Sequence, residues 1–222
     1  MASIPSIPAR IQYRPLLLGA VAALVAGIAL WFIRRYVLHY WMDVSQTSYT
    51  DYYWARRAGL LPHSAGGVLA ITSGVAQIWL GLTGRTGPLH RALGKVYCAG
   101  VLLGSAGGFY MALTIPPAPS HFAYAGGLFA LSTVWLLTTT MAVIAIRKRQ
   151  FEQHREWMLR SYTVTFAFAT FRLIYDYWVV PPDGSPWAYD FAAFLAWACW
   201  SVPLVLLEVI LQARKVNRRA SA

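Results

Sequence analysis

Residues 122–146 read FAYAGGLFALSTVWLLTTTMAVIAI, a run without a charged side chain, and the three residues after it are Arg147, Lys148 and Arg149. The hydrocarbon layer of a bilayer is about 30 Å thick, and about 20 apolar residues of helix cross it. The run is long enough, and its basic flank is what the cytoplasmic end of a transmembrane helix carries. Inside that layer the backbone finds no water, so the segment satisfies its own N–H and C=O groups as an α-helix.

The pattern recurs. Further spans are expected at 15–36, 65–82, 93–113, 157–179 and 187–212, so the chain reads as an all-α, polytopic bundle of about six helices in one membrane domain. Breakers mark the joints: Gly84 with Pro88, then Pro116, Pro117 and Pro119, then Pro181, Pro182, Gly184 and Pro186. Residues 1–14 form a short amino-terminal segment and 213–222 a basic tail. Arg10 and Arg14 ahead of an apolar run resemble the start of a signal peptide. However, the run is long, lacks a small-residue exit and ends at Arg34 and Arg35, so it reads as the first helix.

Composition agrees: 58% of the residues are apolar and 12% charged, against about a quarter charged in a soluble domain. The formal charge of +11 sits in short clusters between the spans, where it sets topology, and nucleic-acid binding is excluded as the reading. With the amino terminus inside, the inner side receives Arg10, Arg14, Arg85, Arg91, Lys95, Arg147, Lys148, Arg149, Arg155, Arg160, Arg214, Lys215, Arg218 and Arg219. The outer side keeps Arg34, Arg35, Arg56 and Arg57. Both termini are therefore expected in the cytoplasm. The outer loop 37–63 is aromatic (Tyr40, Trp41, Tyr49, Tyr52, Tyr53, Trp54), as suits a segment that lies in the headgroup layer or caps the bundle. Cys98 and Cys199 lack any metal-ligand spacing and read as packing residues.

Polar side chains in hydrocarbon are costly and face a bundle interior or a cavity. At about 100° per residue, His154, Ser161, Thr165 and Arg172 share one line on the fifth helix, with Asp176 one turn on to pair with Arg172. On the second helix His63, Gly67, Ala70, Gly74, Gln77 and Gly81 share a face. On the third His90, Gly94, Tyr97, Gly104 and Gly108 do, and on the fourth His121, Tyr124, Ser132, Trp135 and Thr139. Helices two to five are expected to pack these faces together, Gly100, Gly104 and Gly108 allowing close approach. The intramembrane stripe is thus Gln77, Tyr97, Ser161, Thr165, Arg172 and Asp176. Glu208 is placed to pair with Arg160, Arg214 or Lys215.

Two histidines gather near each face: His63 with His121 outside, His90 with His154 inside. Neutral imidazole is a ligand for haem iron or a transition metal. The inner pair is the better candidate metal or haem b site, because Arg91 and Arg155 follow at once and suit a haem propionate or a phosphate. The bland alternative is that helix-end histidines bind headgroups or backbone, with the arginines there for topology.

Three stretches carry a resemblance: YYWARRAGLLPHSAGG (52–67), LHRALGKVY (89–97) and QHREWMLRSYTVTFAFATFRL (153–173). On them the chain resembles a bacterial family of multi-pass membrane proteins, domain-of-unknown-function family 2306. It matches at His63, His90, Arg91, Gly94, Tyr97, His154, Arg155, Trp157, Met158, Arg160, Ser161, Tyr162 and Arg172. Lys95 stands where the family commonly has Arg, which keeps the charge and weakens bidentate contact; His121 lies outside the pattern. The resemblance implies a fold and a bacterial inner-membrane location but no reaction. Six helices with histidines near both faces are also similar, by fold alone, to the dihaem cytochromes b.

Three functions compete. One is a haem- or metal-binding redox protein, exchanging electrons with a quinone. The second is a permease for a small solute, with the Arg172 stripe lining its cavity. The third is an accessory subunit packed on a larger membrane complex through Trp187, Trp197 and Trp200. Soluble hydrolase or transferase chemistry has no motif here.

Overall fold

The computed structural model describes residues 13–46, 51–177 and 187–220. Residues 1–12 of the amino-terminal segment, Tyr49, and the turn expected at Pro181, Pro182, Gly184 and Pro186 lie outside the described residues. The described chain is all-α: α1 Tyr13–Phe32, a π-helical turn Ile33–Val37, α2 Leu38–Met42, α3 Asp51–Ala55, α4 Arg57–Leu82, α5 Pro88–Leu113, α6 Pro119–Arg147, α7 Phe151–Thr165, α8 Ala167–Tyr177 and α9 Trp187–Ala220.

Five stretches among the described residues are long and apolar enough to cross a membrane: Gly19–Met42, Arg57–Leu82, Pro88–Leu113, His121–Arg147 and Trp187–Asn217. Pro88 and Pro119 open their helices, where a missing N–H costs nothing. Gly84, at φ 73°, makes the turn between α4 and α5, a conformation only glycine adopts freely.

The expected fifth helix, 157–179, is not continuous. It starts at Phe151 and breaks at Phe166, whose N–H turns back to Thr163 O at 3.3 Å; the next segment restarts with Thr170 N–H on Phe166 O at 3.0 Å. Together α7 and α8 still run the length of the bundle. His154 at the start bonds Ala142 O near the end of α6, and Arg172 reaches Tyr53 of α3 at the opposite end. The expected loop 37–63 is largely helical, because α4 begins at Arg57. His63 therefore sits about 9 Å inside that helix, and α9 runs through most of the expected tail.

The core gathers Tyr97, Val101, Leu131, Trp135, Tyr162, Phe171, Leu195 and Trp200. Its closest contact is α4 against α5. A Cβ on Gly66 would run into the backbone of Gly100 and Gly104, and one on Gly107 into the backbone of Gly59 and His63. Gly67, one residue from Gly66, faces open space. Without a hydrophobic drive between helices in lipid, this backbone-to-backbone approach is what holds them. Gly66→Val is expected to destabilise the purified protein by about 1–3 kcal/mol while Gly67→Ala leaves the thermal midpoint within a degree or two of wild type. Equal midpoints for the two would show that α4 and α5 do not meet there.

Candidate functional site

The residues of the polar stripe divide between three places. At mid-depth, Tyr97 Oη lies 2.7 Å from Ser161 Oγ and 2.9 Å from Thr165 Oγ1. Trp135 Nε1 donates to Thr165 Oγ1 at 2.9 Å, and Thr139 Oγ1 is 2.7 Å from Ser161 Oγ and donates to Trp135 O at 2.8 Å. One direction that satisfies every group runs from the indole N–H to Thr165, Thr165 to Tyr97, Tyr97 to Ser161, Ser161 to Thr139, and Thr139 to the carbonyl of Trp135; the Ser161 carbonyl, 3.0 Å from Thr165 Oγ1, is a second acceptor for the Thr165 proton. Tyr97 and Ser161 are fully buried, so each of these bonds replaces water that the core excludes.

Above this ring lies a cavity of about 150 Å³, lined by α1 and its π-turn and by residues of α2 to α8. Leu60, Val68, Ile71, Met111, Leu128, Leu131 and Val164 give it apolar walls. Trp135 and Thr165 form its floor, and Tyr36, Tyr40, Tyr53, Tyr124, His63, Ser132 and Arg172 supply the polar groups. His63 Nδ1 bonds Gly104 O at 2.7 Å, which fixes the ring. Tyr40 and Tyr53, 5.7 Å apart by ring centroids, both line the cavity.

Arg172 and Asp176 stand on α8 as the i, i+4 spacing requires, but loosely: Nη1 to Oδ1 is 3.7 Å. The guanidinium donates one long bond, 3.3 Å to Tyr53 Oη, and lies 5.3 Å from the Tyr36 ring centroid. Asp176 takes a hydrogen bond from Tyr36. Tyr36 was not anticipated. It sits in the π-helical turn, a feature that concentrates at functional sites, and a turn with one extra residue leaves no mark in hydropathy.

The opposite end holds the remaining candidates. Gln77 Nε2 donates to His90 O, not into the cavity. His90 lies in the first turn of α5 and His154 in the first turn of α7. His154 Nδ1 bonds Ala142 O at 2.9 Å, while His90 Nδ1 is buried with no hydrogen-bond partner among the described residues. Arg91 and Arg155 are exposed beside them. His63 and His121 are not brought to one site: His121 bonds Pro116 O and lines a separate pocket with Phe122 and Phe129. No group of three or more His, Cys, Asp or Glu suited to a metal occurs among the described residues. Both cysteines are free.

Nearby, Arg160 donates to Glu208 Oε2 from Nε at 2.8 Å and Nη2 at 2.7 Å, the pairing anticipated for Glu208. Glu156, which sequence reading passed over, takes Lys215 Nζ at 2.7 Å and lies 3.6 Å from Arg160. These bonds tie α7 to α9.

Helices of this length and apolarity, packed around a polar interior, define a multi-pass α-helical membrane protein. The chain belongs to the predicted membrane protein family DUF2306, matching it over residues 60–211. Neither curated proteins nor solved structures give a match. The matched region contains the hydroxyl ring, both histidines of the far end and Arg172; it leaves out Tyr36 and Tyr53.

Removing one member of the ring strands its neighbours. Tyr97→Phe is expected to cost about 1–2 kcal/mol, read as a lower thermal midpoint in detergent, whereas Trp41→Phe, which removes only an exposed bond to Ser64, leaves it unchanged. An unaffected Tyr97→Phe protein would mean the ring is not formed.

Proposed function

We propose that the protein is a bacterial inner-membrane redox protein that takes the ring of a lipid-soluble carrier of quinone type into the Arg172 cavity. Its termini are cytoplasmic, so the cavity faces the outer leaflet. The observation that carries the reading is the match of volume and lining. A cavity of about 150 Å³ with apolar and aromatic walls is the size that takes up a benzene ring. Among its polar lining groups, Arg172, Tyr53 and Ser132 suit carbonyl or hydroxyl oxygens on such a ring, whereas the Trp135 indole N–H is already given to Thr165. A hydrophilic solute would lose water against these walls without compensation, which weighs against the permease reading.

A second reading has its own support. Among the described residues His90 Nδ1 is buried with no hydrogen-bond partner, and His154, at the start of α7, has its Nδ1 held by a carbonyl, leaving Nε2 for a metal. Two imidazoles suit axial ligation of haem iron better than a protein-caged ion, which needs more ligands. Arg91 and Arg155 are at hand for propionates. A reduced-minus-oxidised visible spectrum tests it, with metal analysis on the same sample. Low-spin haem b bands lost in His90→Ala and His154→Ala support a haem there, and a colourless, metal-free protein removes it.

For the cavity, titration of the detergent-solubilised protein with a short-chain quinone is expected to saturate at one per chain. Leu128→Phe, which fills the wall, abolishes that binding without lowering the thermal midpoint by more than a few degrees. Only non-saturable partition into micelles, with folded protein, would overturn the reading.

A further inference from the structure

Arg172 is a cation inside the bundle, and its guanidinium has five N–H donors. Among the described residues these meet one long hydrogen bond to Tyr53 and one carboxylate at 3.7 Å. A guanidinium beside a carboxylate in a place poor in water ordinarily closes on it through two short parallel bonds. The contrast lies in the same molecule: Arg160 closes on a single oxygen, Glu208 Oε2, through two bonds of 2.8 and 2.7 Å. What differs at Arg172 is how its acid is held: Glu208 takes its second bond from Gln212 on its own helix, whereas Asp176 Oδ2 takes the Tyr36 hydroxyl from the π-turn after α1, with Oδ1 the atom near Arg172.

We infer that Tyr36 is a positioning residue: by occupying Asp176 it keeps the Arg172 guanidinium open toward the cavity, where it recognises an acceptor oxygen on the bound ring. The ligand class follows, resting on the quinone-type reading above. It carries a carbonyl or an ionised hydroxyl at the ring edge nearest the rim, and Asp176 keeps the site near neutral overall. An uncharged carbonyl is accepted there, and a ring without an edge oxygen is rejected. Without Tyr36, Asp176 turns to Arg172 and closes the pair; without Asp176, Tyr36 has nothing to hold.

That logic is tested by rescue. Tyr36→Phe, Asp176→Asn and the double variant are compared with wild type after thermal midpoints show them folded. Short-chain quinone binding is expected to weaken about tenfold in Tyr36→Phe, the loss of one hydrogen bond to a charged group. It returns to within about threefold of wild type in the double variant. A second measurement needs no quinone: the rate at which phenylglyoxal, a small ring-bearing dicarbonyl, modifies Arg172, read by mass spectrometry. It is expected to fall about tenfold in Tyr36→Phe and to recover in the double variant. Unchanged labelling in Tyr36→Phe, or a loss that the double variant does not restore, overturns the inference. The labelling pattern with no quinone binding in wild type upholds it and sinks the quinone reading instead.

Discussion

Five polar side chains meet at the middle of the bundle, and none of them has water to turn to. The indole of Trp135 can only donate, so Thr165 accepts; from Thr165, which also has the Ser161 carbonyl within reach, the hydroxyls can each give one bond and take one until the chain closes on the carbonyl of Trp135 itself. Three helices are fixed relative to one another by that closure: α5 through Tyr97, α6 through Trp135 and Thr139, and α7 through Ser161 and Thr165. In lipid the bonds compete with no solvent, and a partly made ring would be worse than none. The ring thereby dictates where the cavity stops, because Trp135 and Thr165 are both its members and the cavity floor. It also pins the last turn of α7 one residue before the break at Phe166, leaving α8 free to carry Arg172 on its own axis.

The two arginines of the α7–α8 region show how differently one charge can be handled. Arg160, past the middle of α7, is enclosed by Glu156, Glu208 and the face of Trp157 at 4.6 Å. Short bonds and a stacked ring leave it little to offer a ligand, and its work is to join α7 to α9. Arg172 has an acid one turn away, yet an aromatic network of Tyr36, Tyr53 and Phe171 takes the place of close pairing. Aromatic faces attract a cation without saturating its N–H groups. One arginine is therefore closed by short bonds and the other is not.

Much of this was legible in the sequence because lipid enforces simple rules. The charge-free run at 122–146 and its Arg-Lys-Arg flank announce a crossing, and the 3.6 period places Tyr97, Ser161, Thr165 and Trp135 on inward faces. Depth narrows the partner of Glu208 to Arg160, Arg214 or Lys215, and the structure selects Arg160. Periodicity could not give the break at Phe166, since α7 and α8 carry an unbroken apolar pattern and the interruption comes from the backbone turning at one residue. It could not separate His63 from His121 either: counting the span from 65 put His63 at a membrane face, whereas α4 starts at Arg57 and carries that ring into the bundle.

The π-turn at Ile33–Val37 is the feature least visible in sequence and the one that completes the site. A π-turn holds one more residue per turn than an α-helix, so every side chain after it is rotated relative to the face that α1 presents earlier. Tyr36 falls inside that turn, and the rotation is what aims its hydroxyl across to Asp176 while its ring stays under Arg172. The same turn sends Tyr40 over the cavity beside Tyr53. An α1 that stayed regular would bury an ordinary apolar face on α4 and α8 and leave Asp176 to Arg172. Such turns forfeit backbone hydrogen bonding, a loss that matters more in a bilayer than in water, so its place at the rim of the polar cavity is the one where the loss is least.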